Sequence, residues 1–231
     1  SPLPTESQKE SIAQILQAGW HLLKLINEVL DLAVVESGKV SLAPEPVSLA
    51  EVISECQAMM EPQGQKRGIK LTFPQFDIPY CVRADRTRVK QVLINLLSNA
   101  IKYNREQGTV EVNCTATSPE RTRISVKDTG AGLPPEKLTQ LFQPFNRLGQ
   151  ENSAEEGTGI GLVTSKQLVE LMGGLIGVES AVGAGSVFWF ELSSVVSPTL
   201  AADRVAPTAV AHRQMAPGAP PRTLLYVEDN S

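Results

Sequence analysis

The stretch Asn95-Leu-Leu-Ser-Asn99-Ala-Ile-Lys102-Tyr103 places polar side chains at helical spacing within an apolar pattern. Because residues three or four positions apart are neighbours on a helix, Asn95, Asn99 and Lys102 are predicted to share one face. Amide oxygens suit magnesium, and a lysine ammonium supplies a point charge for phosphate. The pattern therefore indicates a metal-nucleotide face, with a polar, solvated helix surface as the alternative.

A carboxylate and two glycines follow in the segment Asp128-Thr-Gly130-Ala-Gly132, directly after a predicted strand. A carboxylate held at a strand end can accept a hydrogen bond from an adenine amino group. Gly130 and Gly132 would let the chain pass close to the base, because glycine lacks a Cβ and tolerates unusual backbone angles. By itself the segment also fits an ordinary Asp-x-Gly turn.

Two further segments complete an ordered set, Leu141-Phe142-Gln-Pro-Phe145 and Gly157-Thr158-Gly159-Ile-Gly161-Leu162. The glycine-rich segment opens a predicted helix, whose first N–H groups and dipole favour a phosphate. It lacks the Lys-Ser/Thr ending of a P-loop and does not follow a strand as a Rossmann loop does, so neither of those nucleotide folds is predicted. The four segments in this order indicate a pocket for ATP.

The composition limits the classes of protein that fit. The 231 residues carry a formal net charge of -4, with 42% hydrophobic and 20% charged residues. Such a chain is predicted to be soluble with a core of its own, and its charge argues against nucleic-acid and anionic-membrane binders. No apolar run reaches the roughly 18 residues of a membrane span. We therefore expect a cytoplasmic chain, although a longer parent protein could be membrane-anchored.

The cysteines point to a reducing environment. Cys56, Cys81 and Cys114 are odd in number and form no C-x-x-C pair. Neither a disulfide framework nor a zinc site is suggested by this spacing. We expect buried thiols in a reducing cytosol.

Periodicity and capping residues predict helices and strands in mixed order. Ser48 with Glu51 forms a capping box for one helix, and Asp85 is a candidate N-cap for the helix that carries Asn95. The other predicted elements are a helix over 161–172 and strands over 39–47, 69–73, 80–83, 110–114, 123–127, 176–180 and 186–192. Residues 146–159 show no periodicity and are expected to form a mobile lid.

An N-terminal helix with a wide apolar stripe is predicted from about Thr5 to Glu36. Its seam residues alternate three and four apart, and they are Ile12, Ile15, Gly19, Leu22, Ile26, Val29 and Ala33. A line of leucines at seven-residue spacing widens the stripe beyond what one partner helix covers. We therefore expect a bundle whose partner helices lie in another copy of the chain or in segments outside it.

The last 35 residues differ in character from the rest. Residues 197–221 are rich in Ala and Pro and are predicted to be a linker. Leu224-Leu-Tyr-Val-Glu228-Asp229-Asn230 then has the pattern of an apolar strand ending in carboxylates. It is interpreted as the start of a further domain, with a chance apolar strand as the alternative.

The four ordered segments resemble the N box, first glycine box, F box and second glycine box of sensor histidine kinases. That family lies within the ATPase superfamily shared with gyrase, the Hsp90 chaperones and MutL. Val182-Gly-Ala-Gly185-Ser186 also resembles the closing glycine motif of the domain. The resemblance covers residues 40–196 and implies an α+β fold. This fold is a two-layer α/β sandwich of the Bergerat type with a mixed, largely antiparallel sheet.

The resemblance implies a role for each matching residue. Asn99 would be the magnesium ligand, Lys102 would meet phosphate and Tyr103 would flank the nucleotide. Asp128 would read adenine. Phenylalanines would anchor the lid, glycines would wrap the phosphates and an arginine would reach the γ-phosphate. The remaining implied nucleotide-binding residues are Asn95, Gly130, Gly132, Phe142, Phe145, Arg147, Gly157, Thr158, Gly159, Gly161, Leu162 and Ser186.

One position separates histidine kinases from their relatives. Gyrase-like ATPases and related serine kinases carry Glu four residues before the magnesium Asn, where it acts as a general base. This chain has Asn95 there, and an amide cannot take a proton. Asn95 therefore favours transfer to a histidine over hydrolysis. A superfamily ATPase or serine kinase, and a degenerate module used for dimerisation or signalling, are the alternatives.

The N-terminal helix resembles the second helix of a dimerisation and phosphotransfer hairpin, through Ile26-Asn-Glu-Val-Leu-Asp-Leu-Ala-Val-Val-Glu36-Ser-Gly38. The phosphoacceptor motif of the first helix, a His followed by an acidic residue and Arg-Thr-Pro, does not occur. His21 and His212 do not fit that motif. We therefore expect the chain to bind Mg-ATP but not to phosphorylate itself.

The implied organisation has four parts. Residues 1–37 are the second helix of the phosphotransfer domain, 38–196 the ATP-binding catalytic domain, 197–221 the linker and 222–231 the truncated start of a receiver domain. The implied protein is a hybrid sensor histidine kinase that uses ATP and Mg²⁺. Its implied partners are a histidine phosphotransfer domain, a response regulator or its own receiver, and a second copy bound through the N-terminal helix.

Overall fold

The computed structural model describes residues 5–36, 41–76, 80–146 and 158–195. The helices in these ranges are α1 (Glu6–Glu36), α2 (Leu49–Lys66), α3 (Arg86–Lys102), α4 (Pro135–Leu138) and α5 (Gly161–Leu171). The strands are β1 (Glu45–Ser48), β2 (Lys70–Thr72), β3 (Cys81–Ala84), β4 (Thr109–Ser118), β5 (Arg121–Asp128), β6 (Leu175–Ala181) and β7 (Gly185–Val195).

The seven strands form one sheet in the order β1-β3-β7-β5-β4-β2, and β6 pairs with β7. The pairing of β2 with β4 is parallel. The pairs formed by β1 with β3, β3 with β7, β4 with β5, β5 with β7 and β6 with β7 are antiparallel. The predicted mixed, largely antiparallel sheet is confirmed.

The core lies between one face of this sheet and the helices. Successive side chains of a strand point to opposite faces, so alternate residues of β4, β5 and β7 are buried. Phe190 on β7 and Leu96 on α3 are both 0% exposed within the same core cluster. On the other face, Arg123 stacks on the Trp189 ring at 3.9 Å and pairs with Glu191 at 2.7 Å. The domain is thus a two-layer α+β sandwich.

The predicted N-caps are confirmed. The Ser48 hydroxyl accepts a hydrogen bond from the Glu51 N–H at 3.5 Å, where α2 begins. Asp85 Oδ1 accepts from the Arg88 N–H at 3.1 Å, where α3 begins. Such bonds satisfy N–H groups that the first turn of a helix leaves without partners. The start of α3 is therefore set by local sequence.

Strands β4 and β7 extend past their predicted ends at residues 114 and 192, to Ser118 and Val195, and two further elements differ from the sequence prediction. The strand predicted over 39–47 is observed as Glu45–Ser48, with residues 41–44 irregular. Pro44, before the strand, and Pro46, within it, have no N–H for a sheet ladder, and β1 is the first strand in the sheet order, where proline is tolerated. The short helix α4, which begins after Pro134, was not predicted. Residues 39–40, residues 147–157 of the lid predicted over 146–159, the linker, the receiver strand and His212 lie outside the described residues.

Helix α1 is confirmed over Glu6–Glu36, and its apolar seam is exposed. Ile15 is 70% exposed, Leu22 58% and Ile26 48%. Among the described residues, no helix is long and apolar enough to cross a bilayer. The exposed seam is consistent with a helix that packs on a partner.

The cysteines are free and mostly buried. Cys56 and Cys81 are buried, and Cys114 is half-buried. Burial raises the pKa of the Cys56 thiol to about 11 and that of Cys114 to about 12. Both are therefore protonated, unreactive thiols at neutral pH. The described residues contain no cluster of His, Cys, Asp and Glu that could hold a metal ion.

Candidate nucleotide-binding site

Asp128 is the buried polar centre of the site. It ends β5 and is 6% exposed. Its Oδ1 accepts hydrogen bonds from the N–H of Gly130 at 2.8 Å and from the N–H of Ser186 at 3.2 Å. Oδ2 accepts neither bond. Burial raises the pKa of the Asp128 carboxyl, and these two hydrogen bonds oppose the rise.

The glycines around Asp128 are required because backbone atoms of other segments lie where their Cβ atoms would be. A Cβ at Gly130 would lie 2.5 Å from the Tyr103 carbonyl oxygen. Gly132 has a φ of +70°, and a Cβ there would lie 1.9 Å from the Ala181 carbonyl oxygen. The loop after β5 therefore packs directly on the end of α3 and on the β6–β7 turn. This packing brings Asp128 and Tyr103 to the same region.

The two asparagines of α3 have different surroundings. Asn95 Nδ2 donates to the Ser165 hydroxyl of α5 at 2.8 Å. A Cβ at Gly161 would lie 2.4 Å from Asn95 Oδ1, so the start of α5 packs against this amide. The half-buried Asn99 side chain makes no hydrogen bond to the described part of the chain. The Asn99 amide oxygen is thus available as a metal ligand, whereas the Asn95 side chain joins α3 to α5.

The end of α3 carries the predicted cation. Lys102 Nζ donates to the Tyr103 hydroxyl at 2.9 Å and lies 4.6 Å from the centre of the Tyr103 ring. Tyr103 is 41% exposed and forms the C-cap of α3. Arg67 donates to the Lys102 carbonyl oxygen at 3.0 Å, which holds this end of the helix. The side chains of Lys102 and Tyr103 are therefore held together at the end of α3.

A cavity of about 460 Å³ lies between α3 and α5, beside the hydrogen bond from Asn95 to Ser165. Asn95, Ser98, Gly161 and Thr164 are among its lining residues. Helix α5 starts at Gly161 with no side-chain cap. The first N–H groups of α5 are therefore candidates for an anion, as the first turn of a helix leaves them without backbone partners.

The two ends of the predicted lid approach each other. A Cβ at Gly159, whose φ is +74°, would lie 2.9 Å from the backbone carbon of Phe145. Phe142 packs against the core, but the Phe145 side chain is 64% exposed and its φ is +62°. Of the two phenylalanines expected to anchor the lid, only Phe142 packs its side chain against the core. Phe145 contacts Gly159 through its backbone instead.

The other predicted positions are placed as follows. The Thr158 hydroxyl accepts from the Ile160 N–H at 3.1 Å, just before α5. Leu162, in the first turn of α5, packs against the core. Ser186 is buried beside Asp128. Arg147 and Gly157 lie outside the described residues.

Sequence reasoning missed Ser180. Its hydroxyl accepts from the Leu133 N–H at 2.8 Å, contacts the Gly185 carbonyl oxygen at 2.9 Å and lies 2.9 Å from the Ser186 hydroxyl. Ser180 and Ser186 face each other across the β6–β7 pair. Two serines on either side of a glycine-rich turn were the signal that could have identified it.

The family comparison agrees with this geometry. The profile described as "Histidine kinase-, DNA gyrase B-, and HSP90-like ATPase" matches residues 84–195. This range runs from the end of β3 through β7, so it includes α3, Asp128, the start of α5 and Ser186. The match therefore includes these residues of the candidate site.

Known proteins resemble the chain over a larger range. The circadian input-output histidine kinase CikA of Synechococcus elongatus is 40% identical over an alignment of 202 residues that covers 84% of this chain and 26% of CikA. The structure of full-length ShkA in complex with AMPPNP matches with a TM-score of 0.73 at 30% identity, over 85% of this chain and 41% of ShkA.

A solved catalytic domain matches almost entirely. The catalytic domain of the histidine kinase ThkA aligns with a TM-score of 0.58 at 33% identity, over 65% of this chain and 95% of that domain. ThkA in complex with the response regulator protein TrrA aligns at 0.63 and 29% identity, over 84% of this chain and 53% of ThkA. The chain spans only about a quarter of the length of its curated relative CikA. By sequence and fold, the chain belongs to the sensor histidine kinases and contains their catalytic domain of the gyrase, Hsp90 and MutL superfamily.

Proposed function

We propose that this chain binds Mg-ATP and transfers the γ-phosphate to a histidine on a separate phosphotransfer helix, within a hybrid sensor histidine kinase. The observation that carries the proposal is Asp128. Its Oδ1 is held by two backbone N–H groups, and Oδ2 of this buried residue accepts neither of them. An adenine amino group, which donates two hydrogen bonds, suits such an acceptor.

Asn99 is the proposed magnesium ligand, and Lys102 the proposed phosphate contact. The Asn99 amide oxygen has no competing hydrogen bond to the described residues and is a hard oxygen donor. Bound magnesium would neutralise part of the phosphate charge. Lys102 lies one helical turn further along α3, so its ammonium can turn from the Tyr103 hydroxyl to a phosphate oxygen.

The phosphate end of the nucleotide is proposed to lie at the start of α5. In the transfer, an imidazole nitrogen of the acceptor forms a bond to the γ-phosphorus as the bond from phosphorus to the bridging oxygen of ADP breaks. Asn95 is an amide already bonded to Ser165, so it cannot remove a proton from water. The neighbouring cavity between α3 and α5 offers room beside this end. These features favour transfer over hydrolysis.

The chain incubated with γ-labelled ATP is expected to bind the nucleotide and to remain unlabelled, because its described residues include no phosphoacceptor motif. A histidine-bearing phosphotransfer hairpin from a sensor histidine kinase, added in trans, is expected to acquire acid-labile, base-stable label. The same hairpin with its histidine replaced by alanine is the matched control. Stable label on His21 would contradict the first expectation, and steady phosphate release without hairpin label would favour the ATPase alternative.

A second copy of the chain is proposed to pack on α1 in the parent protein. The seam residues of this 31-residue helix are roughly half exposed, which is unusual for aliphatic side chains in a regular row. Docking on a second α1 would bury this row in a helical bundle.

The variant Leu22→Glu/Ile26→Glu is expected to reduce self-association by at least tenfold, since it places two charges inside the proposed interface. Light scattering over a concentration series measures the effect. Asn27→Glu, at an exposed polar site of the same helix, is the control and is expected to change little. A monomeric wild-type chain at every concentration would remove the proposal.

The remaining partners are also proposals. The complex of ThkA with TrrA supports a response regulator, or the chain's own receiver domain, as the next phosphoryl acceptor. We propose that this exchange takes place in the cytoplasm. Nucleic acid is not among the proposed partners.

A further inference from the structure

Ser180 joins the two segments that supply hydrogen-bond donors to Asp128. One donor is the N–H of Gly130, which lies three residues before Leu133 in the loop after β5. The other is the N–H of Ser186, directly after Gly185 in the β6–β7 turn. The Ser180 hydroxyl contacts both Leu133 and Gly185. A single side chain therefore links both sources.

The hydroxyl can satisfy all its contacts at once. It has one proton and two lone pairs. The Leu133 N–H must be a donor, so it takes one lone pair at 2.8 Å. The Ser180 proton then goes to the Gly185 carbonyl oxygen at 2.9 Å, and the Ser186 hydroxyl can donate to the second lone pair at 2.9 Å. The arrangement leaves Ser180 fully bonded in one orientation.

Other contacts fasten the same two segments. The Gly183 N–H donates to the Ala131 carbonyl oxygen at 2.7 Å. Gly132 packs on the Ala181 carbonyl oxygen, and a Cβ at Gly185 would lie 2.1 Å from the Asp128 carbonyl oxygen. These contacts join backbone to backbone. Ser180 supplies the side-chain bond to both segments, so it can be tested by substitution.

We propose that Ser180 is a positioning residue that holds the N–H groups of Gly130 and Ser186 on Asp128 Oδ1 and thereby aims Oδ2 at the adenine amino group. The adenine contact rests on the proposed function, whereas the effect on the carboxylate does not. Both backbone donors favour the charged carboxylate. Weaker donation after loss of Ser180 would raise the pKa of Asp128 above its already raised value.

Burial accounts for the raised pKa of Asp128, and the two backbone N–H groups oppose the rise; no charged side chain of the described residues is among the causes. From α3, Lys102 faces the Tyr103 hydroxyl. On β5, Lys127 is exposed on the opposite face of the sheet from Asp128, and Glu179 is likewise exposed on β6. The β6–β7 turn, residues 182–184, has no charged residue.

The first test needs no nucleotide. Carboxyl NMR titration of Asp128 in the full chain is expected to show a pKa about one unit higher in Ser180→Ala than in wild type, as weakened charge-assisted hydrogen bonds predict. Ser180→Thr keeps the hydroxyl and is expected to restore the wild-type pKa. Ser125→Ala, at a β5 serine whose side chain makes no hydrogen bond to the described residues, is the matched control.

The second test measures ATP affinity against pH by calorimetry. Ser180→Ala is expected to bind ATP about 3- to 10-fold more weakly at pH 7. As the pH is lowered, the variant is expected to lose binding at a higher pH than wild type does, because its Asp128 takes up a proton sooner. A purely structural role would lower the folded fraction without moving the midpoint of the Asp128 titration or the pH midpoint of ATP binding. If both midpoints are unchanged in Ser180→Ala, the proposal is overturned. If wild type binds no ATP, the proposed function fails, but the NMR comparison still decides the role of Ser180.

Discussion

Asp128→Asn is expected to weaken ATP binding about 10- to 150-fold while the domain stays folded. The amide oxygen replaces Oδ1 as acceptor for the N–H groups of Gly130 and Ser186. Those two donors fix the amide orientation, so the new NH₂ group takes the place of Oδ2 and faces the adenine amino group. Loss of a hydrogen bond to a charged acceptor costs about 1.5–3 kcal/mol.

The same variant is expected to be at least as stable as wild type at pH 7 without nucleotide. Burial raises the Asp128 pKa above its unfolded value, so the folded chain binds the proton more tightly. By linkage, the carboxyl favours the folded state most at low pH, and this contribution is lost as pH rises through the folded pKa. An amide has no ionised form to bury. Urea unfolding at pH 5 and pH 7 measures the difference.

Base preference gives an independent readout for Asp128→Asn. An NH₂ group in the place of Oδ2 can donate to the six-position oxygen of guanine, so the ratio of ATP to GTP affinity is expected to fall. Glu106→Gln, an isosteric change at an exposed site, is the control. Unchanged ATP affinity in Asp128→Asn would contradict the adenine contact, and unfolding of the variant would contradict the linkage reasoning.

Gly132→Ala is expected to destabilise the domain by about 2–5 kcal/mol. Its φ of +70° alone costs an alanine about 1–2 kcal/mol. Its Cβ would also lie 1.9 Å from the Ala181 carbonyl oxygen, which belongs to backbone and cannot rotate away. Overpacking of this kind adds about 1–3 kcal/mol. Displacement of the loop would also loosen the Gly130 donor on Asp128, so ATP binding should weaken in the folded fraction.

Gly173→Ala separates the backbone cost of a positive φ from the cost of overpacking. Gly173 has a φ of +71°, nearly the same as Gly132, but nothing lies within 4 Å of its Cβ position. This variant is expected to show the backbone cost alone and to bind ATP as wild type does. Denaturant unfolding and calorimetry compare the pair. Equal destabilisation by both substitutions would show that the loop after β5 yields, and the close packing would then carry no energetic weight.

Much of the local structure could be predicted because its causes are local. Ser48 and Asp85 were identified as N-caps, and each accepts the expected N–H three residues later. The periodicity of α1 also predicted its length. Proline and helix α4 were harder. Strand β1 begins at Glu45 and not at the predicted residue 39, and Pro46 within it also lacks an N–H, so proline alone does not set its start. Helix α4 is too short for a periodic pattern to appear.

The candidate site was predicted as a set of residues but not as a geometry. The reason assigned to Gly130 and Gly132 was approach to a base, whereas the structure places protein carbonyl oxygens against both. Phe145 was expected to pack, yet its side chain is exposed and its backbone meets Gly159. Both cases depend on which distant segment lies opposite, which spacing along the chain does not contain.

The sequence by itself determined the family, the order of the boxes and the residue types that can hold adenine, metal and phosphate, because these depend on short segments. Only the tertiary structure decided which oxygen of Asp128 is held, since one donor comes from Ser186, 58 residues away. It also decided that Ser180 belongs to the site. Hydrogen bonds between remote segments exist only once the sheet has brought β5, β6 and β7 together.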